Sequence, residues 1–167
     1  VFLTLFWAFL SFQIHPSIGF GESSRKTIWD NEGRIEFKGR AHFAAGDRVS
    51  NKGSLTFGEN FAMHRDSSIV SYDKITFGDD DLISWNCEFL DTDFHKIMSD
   101  GQVLNPNKPI SVGNHVWFGR GCVCLKGVSI PEGVVIGAGT MLTSSINESN
   151  CVYASGRVIK RDVKWKY

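Results

Sequence analysis

Val112 to Asn147 reads, in sixes, VGNHVW FGRGCV CLKGVS IPEGVV IGAGTM LTSSIN. The first position of each six is Val112, Phe118, Cys124, Ile130, Ile136 or Leu142, all apolar. The second is Gly113, Gly119, Leu125, Pro131, Gly137 or Thr143, and the fifth is Val116, Cys122, Val128, Val134, Thr140 or Ile146, which are small or branched. A period of six fits neither the helical repeat nor the alternation of a lone strand. Three short strands of six residues give about 18 residues per turn of a solenoid, in which each turn buries its apolar face only against its neighbours. A small residue in the second slot lets the backbone turn a corner, and stacked turns pair in parallel about 4.8 Å apart, so first-slot side chains form interior ladders.

The run from Val112 to Thr143 resembles the hexapeptide-repeat acyltransferases, the superfamily of the maltose, galactoside and surface-polysaccharide O-acetyltransferases, and the likeness is strongest from Leu55 onward. The resemblance implies an all-β fold, a left-handed parallel β-helix of hexapeptide repeats, a hand opposite to that of ordinary crossover connections. It also implies a homotrimer with acetyl-CoA as co-substrate held between neighbouring coils, and a reaction that requires no metal.

The 167 residues suffice for one domain with a core. Eighteen basic and eighteen acidic side chains cancel, which gives no electrostatic argument for a nucleic-acid partner or an anionic membrane. The four cysteines form no CxxC pair, and Cys87, Cys122 and Cys124 fall on inward slots, the pattern of reduced core thiols in a cytoplasmic protein. On that reading the sequon Asn147-Glu148-Ser149 is incidental.

The chain divides into an apolar arm and link (1–27), the repeat coil (28–150, with a loop at 96–109 inserted) and a basic tail (151–167). The arm, VFLTLFWAFLSF, is stopped by Gln13, His15 and Pro16, short of the roughly 20 apolar residues of a membrane span. Its first reading is an arm packed on the coil or a partner subunit, and its second is peripheral contact with the inner face of a membrane. Ile35, Phe37 and Phe43 alternate with polar neighbours in a register still irregular, as in a capping coil. Regular sixes begin at Phe57, Met63 and Ile69, slip by two residues at Tyr72–Lys74, the mark of a bulged corner, and resume at Phe77, Ile83 and Phe89. The interruption KIMSDGQVLNPNKP, with Asp100-Gly101 and Asn105-Pro106, reads as an exposed loop.

Immediately before the loop stands DTDFH. Asp91, Asp93 and His95 alternate, so an extended strand would carry all three on one side. An imidazole with an ordinary pKa of about 6.5 can take the proton of an attacking hydroxyl, and a carboxylate beside it would fix its tautomer. Spacing alone is as consistent with a surface His beside two solvated acids, or with a weak metal pair. The resemblance places an essential His at the end of a coil before a projecting loop, which makes His95 the general base, Asp93 its orienter and Asp91 an auxiliary. The family's Asn-rich acceptor strand is missing, since Phe61 to Asp66 reads FAMHRD, and Trp85 and Asn86 are the candidates to meet a sugar instead.

For the donor, the resemblance lays Trp117, Gly119 and Arg120 along the pantetheine groove, with Gly137, Ala138 and Thr143 in the next coil. Glycines let backbone come close, and free amides can bind pantetheine or the thioester oxygen. Arg157 and Lys160, with Arg161 beside them, are placed to meet the phosphates of CoA. The expected function is acetyl-CoA-dependent O-acetyl transfer to a sugar or surface-polysaccharide precursor by direct attack. Alternatives are N-acyl transfer to an amino sugar, a metal-dependent hydratase of the γ-carbonic-anhydrase type, and a non-enzymatic scaffold. The five histidines, His15, His42, His64, His95 and His115, lack the close pair that such a zinc site favours.

Overall fold

Every inward slot of the sixes stacks on the equivalent slot of the next turn, and the chain coils as a parallel β-solenoid of about six turns. The structure, a computed structural model, describes residues 26–167; the apolar arm lies outside the described residues. The first turn holds β1 (Ile28–Asn31), β2 (Arg34–Phe37) and β3 (Ala41–Phe43), and the second β4 (Arg48–Asn51), β5 (Ser54–Phe57) and β6 (Phe61–Met63). The third holds β7 (Ser68–Ser71), β8 (Lys74–Thr76) and β9 (Leu82–Ile83). The fourth begins with β10 (Glu88–Leu90), ejects a loop containing β11 (Met98–Ser99) and β12 (Gln102–Val103), and resumes with β13 (Ile110–Val112) and β14 (Trp117–Phe118). Then follow β15 (Val123–Leu125), β16 (Ser129–Ile130), β17 (Val135–Ile136), β18 (Met141–Leu142), β19 (Val152–Ala154) and β20 (Arg157–Lys160).

These strands form three faces of a prism. Face A stacks β1-β4-β7-β10-β15-β18, face B stacks β2-β5-β8-β13-β16, and face C stacks β3-β6-β9-β14-β17-β19, closed by antiparallel β20. The fold is the left-handed β-helix that the resemblance implied.

The repeat length is not uniform. In the C-terminal turns Ser111 pairs with Ser129, Trp117 with Val135 and Val123 with Met141, a step of 18. In the N-terminal turns Ile28 pairs with Arg48 and Arg48 with Ser68, a step of 20. The first turn is therefore in register, and the two-residue slip at Tyr72–Lys74 recurs at each A-to-B corner of the N-terminal turns rather than marking a single bulge. The two additional residues bring one more inward side chain to that corner, and it is polar. Asn51 Nδ2 donates to Asn31 Oδ1 at 2.7 Å and Ser71 Oγ to Asp91 Oδ2 at 3.3 Å, so the wide corners are joined along the axis by hydrogen bonds.

The wider turns hold larger side chains. Phe37, Phe57 and Phe77 stack in a column, centroids 5.2 and 5.7 Å apart, with Phe43 and Phe61 edge-on or tilted against it. Across Phe89 and Phe118 the column gives way to Cys124, Ile130, Ile136 and Leu142, all buried. All four cysteines are free and buried. Asp81 fastens the turns across the inserted loop, its carboxylate accepting from Gly78 N at 2.9 Å and from Val116 N at 2.8 Å.

Candidate active site

The chain leaves the coil at the A-to-B corner of the fourth turn and is pinched where it returns, Lys108 N donating to Asp91 O at 3.1 Å. Beyond that pinch the loop folds into the β11–β12 hairpin, turned by Asp100 (φ 49) and Gly101 (φ 75), the positive pair of a type I′ turn. It carries Ile97, Met98 and Leu104 exposed.

Asp91, Asp93 and His95 do not share one side. Strand β10 ends at Leu90, and the residues after it are no longer extended. Asp91 is fully buried at the wide corner, where its carboxylate accepts from Tyr72 N at 2.7 Å, Asp73 N at 2.9 Å and Ser71 Oγ. Burial pushes its carboxyl above the ordinary range, and its position is that of a link between turns. Asp93 and His95 lie outside, both exposed. Asp93 Oδ2 accepts from Lys126 Nζ at 2.5 Å and Asn105 Nδ2 at 2.8 Å, and the hydrogen bond from Lys126 holds its carboxyl below the usual value. That carboxylate therefore faces the loop, and among the described residues no side chain bonds to the His95 ring.

The chain between the two is strained. His95 N donates to Asp93 O at 2.7 Å, an i to i+2 bond that closes a three-residue turn around Phe94 at φ 61. A bulky side chain at positive φ costs on the order of 1–3 kcal/mol and persists only where its surroundings enforce it. Here Phe94 N is bound by Thr92 Oγ1 at 3.1 Å, its ring packs edge-on against Tyr72 with centroids 5.7 Å apart, and Asn105 Nδ2 holds His95 O at 2.8 Å. Sequence reasoning took Asn105 for a turn residue and passed over Lys126. The one available signal was that Lys126 is the only charged residue between Arg120 and Glu132.

The C-to-A corner carries the residues assigned to the donor. Trp85, Arg120 and Ala138 occupy one slot of successive turns, flanked by Ser84, Gly119 and Gly137, as the pairings of Ile83, Phe118 and Ile136 dictate. The glycine amides here are not free. Gly119 N donates to Ile136 O, Gly121 N to Trp85 O, Gly137 N to Tyr153 O and Gly139 N to Arg120 O. In the slot of Trp85, Arg120 and Ala138 the three backbone amides make no hydrogen bond among the described residues. A Cβ on residue 119 would stand 2.7 Å from Ala138 N, so glycine at that position is what leaves the Ala138 amide uncovered. Trp117 is held by its indole N–H on Ser84 Oγ at 3.1 Å. Trp85 stacks on His64 with centroids 5.3 Å apart, while Asn86 is exposed at φ 56.

Within one copy the remaining predicted residues scatter. Thr143 follows β18 on face A, at the opposite corner from Gly137 and Ala138. Arg157 pairs with Ala154, whose Cβ would be 2.8 Å from one built on Gly137, so it caps the line of the donor corner. Lys160 lies opposite Val152 at the other end of β19. Arg161 is engaged by both carboxylate oxygens of Glu148, at 2.5 and 2.9 Å. The tail after it crosses the B-to-C corner, where His115 stacks on Trp165, and a cavity of about 530 Å3 opens between that corner and Val163–Tyr167.

No family model matches the chain. It is 33% identical over 96 residues to the galactoside O-acetyltransferase of Escherichia coli, a match covering 56% of this chain and 46% of that one. The chain thus spans about half the length of this relative. The polysialic acid O-acetyltransferase OatWY superposes with a TM-score of 0.56 at 26% identity, covering 85% of this chain and 88% of that one. A galactoside acetyltransferase solved in complex with coenzyme A gives a TM-score of 0.55 at 27% identity, covering 81% and 64%. Coil, corner ladders and neighbours together define a hexapeptide-repeat left-handed β-helix. In sequence and in fold the chain is similar to the hexapeptide-repeat O-acetyltransferases.

Proposed function

We propose that the protein is an acetyl-CoA-dependent O-acetyltransferase acting on a hydroxyl of a sugar or of a surface-polysaccharide precursor, with His95 as general base. The observation that carries the proposal is the strained turn at Phe94, which projects His95 beside the ejected loop in a coil similar to one solved with coenzyme A. The acceptor hydroxyl gives its proton to the His95 imidazole as its oxygen attacks the thioester carbonyl. The C–S bond then breaks, and the leaving thiolate takes the proton back from the imidazolium. No side chain is acylated.

Acetyl-CoA fits the C-to-A corner, where the uncovered amides of Arg120 and Ala138 offer donors to its amide carbonyls and Trp117 a fixed apolar wall. Arg157 at the end of that line is the first candidate for its phosphates, ahead of Lys160. In one copy His95 and this corner sit at opposite ends of β10, a full prism face apart. A catalytic site therefore needs His95 of one copy against the donor corner of another, which is the reason to propose a homotrimer. Face A supports it, with Leu90, Val123 and Leu125 half-buried and Met141 61% exposed on its outer surface. Trp85 and Asn86 adjoin the donor corner and are the proposed acceptor contacts. The proposed setting is the cytoplasm, supported by the four reduced thiols. No helix among the described residues is long and apolar enough to cross a membrane.

The test is a thermal-shift titration with acetyl-CoA, followed by mass spectrometry of acetylated products from methyl β-galactoside and oligosialic acid. His95→Ala is expected to lose about 10²–10⁴-fold in kcat while its acetyl-CoA affinity is kept. Comparable turnover in that variant removes His95 from the mechanism. Absence of both binding and transfer in the unaltered protein favours the scaffold reading.

A further inference from the structure

Asn105 makes four hydrogen bonds, three to the segment that bears His95 and the fourth to Lys126, which itself meets that segment. Its side-chain oxygen accepts from Ile97 N at 2.6 Å, and its Nδ2 donates to Asp93 Oδ2 and to His95 O, both at 2.8 Å. Its main-chain oxygen accepts from Lys126 Nζ at 3.0 Å, and the same ammonium meets Asp93. Lys126 does not belong to the loop. It stands just after β15, on the next turn of the stack, with its side chain only 17% exposed. The strained turn at Phe94 is thus clamped between the far limb of its own loop and a rigid neighbouring coil. His95 is tied through both its main-chain N–H and its main-chain carbonyl, so these bonds fix the backbone from which its side chain leaves.

We propose that Asn105 and Lys126 are positioning residues for His95: they hold the Phe94 turn closed and thereby set the direction in which the imidazole leaves the coil. This rests on His95 being the base. Neither residue touches the reacting atoms. An exposed ion pair by itself contributes little, but Lys126 binds two acceptors on two limbs of one loop, and the bound segment contains a backbone conformation that would relax if released.

The test uses the full chain with acetyl-CoA and methyl β-galactoside or oligosialic acid, whichever the unaltered protein acetylates. Lys126→Met and Asn105→Ala are expected to lower kcat by about 10²-fold, the effect of a small displacement of a catalytic group. The KM for acetyl-CoA should stay within about twofold, because these residues act on orientation rather than on binding. Lys126→Arg should restore most of the rate. Glycine takes a positive φ without strain, so in a Phe94→Gly background Lys126→Met should cost far less than it does beside Phe94. Unchanged kcat in Lys126→Met, an equal loss in both backgrounds, or a KM that rises in step with the loss would overturn the proposal. If the unaltered protein acetylates nothing, the reading of His95 fails on its own. The clamp is then decided by amide hydrogen exchange, in which Lys126→Met must speed exchange at His95 and Ile97 if the clamp exists and leave it unaltered if not.

Discussion

The imidazole of His115 lies flat against the indole of Trp165, centroids 4.0 Å apart and planes within 6°. Bonds cross the pair in both directions: Trp165 Nε1 donates to His115 O at 2.9 Å, and His115 Nε2 approaches Trp165 O at 3.1 Å. A carbonyl can only accept, so this His carries its proton on Nε2. The tail is thereby buttoned onto the fourth turn, and Trp165→Ala is expected to lower stability by about 3 kcal/mol. Thermal unfolding measures that loss, and limited proteolysis after Arg161 should become fast.

Gly119→Ala tests the donor corner. The added Cβ would press on Ala138 N at 2.7 Å, closing the amide offered to the pantetheine. Acetyl-CoA affinity should fall at least tenfold by isothermal titration. Gly121→Ala is the control: its Cβ meets nothing within 4 Å but stands at φ 72, so it should cost about 1 kcal/mol of stability and leave affinity nearly unchanged.

Asp81→Ala removes the acceptor of Gly78 N and Val116 N and leaves both buried donors unmatched. The expected loss is about 2–6 kcal/mol, read from urea unfolding, since each of the two orphaned donors costs roughly 1–3 kcal/mol. A loss below 1 kcal/mol would mean the turns on either side of the loop are joined well enough by their ladders alone.

His64 gives the protein an acid limit. Burial, with the His42 ring nearby, holds its imidazole below the ordinary 6.5. On acidification the unfolded chain takes up the proton first, so this contribution is fully present above about pH 6.5 and is lost as pH falls toward the lower folded value. The stability of the unaltered protein relative to His64→Phe, which keeps a ring against Trp85, should therefore fall as melting temperatures are compared from pH 7.5 to 5.

The solenoid could be read from Val112 to Asn147 because six-residue spacing has no other simple source, and the excursion at 96–109 from the sudden loss of that spacing. The 20-residue turns were not legible. Their additional inward residues, Asn51, Ser71 and Asp91, are polar and read as surface positions, whereas in the fold they lie buried at a corner, Asn51 bonded to Asn31 and Ser71 to Asp91. The same blindness put Asp91 beside His95. Alternation places side chains on one side only while the strand lasts, and β10 ends one residue before Asp91. Trp117, Gly119 and Ala138 fell together because the ladder register determines them. Lys126 and Asn105 did not, since they meet only after a long loop has folded back.

Ser111 pairs with Thr76 and Trp117 with Leu82, as though the hairpin between them had never been made. The strand ladders keep their register on either side of the excursion. Natural variation can therefore lengthen or shorten the tip of that appendage, beyond Ile97 and before Leu104, without any strand of the coil changing its neighbour.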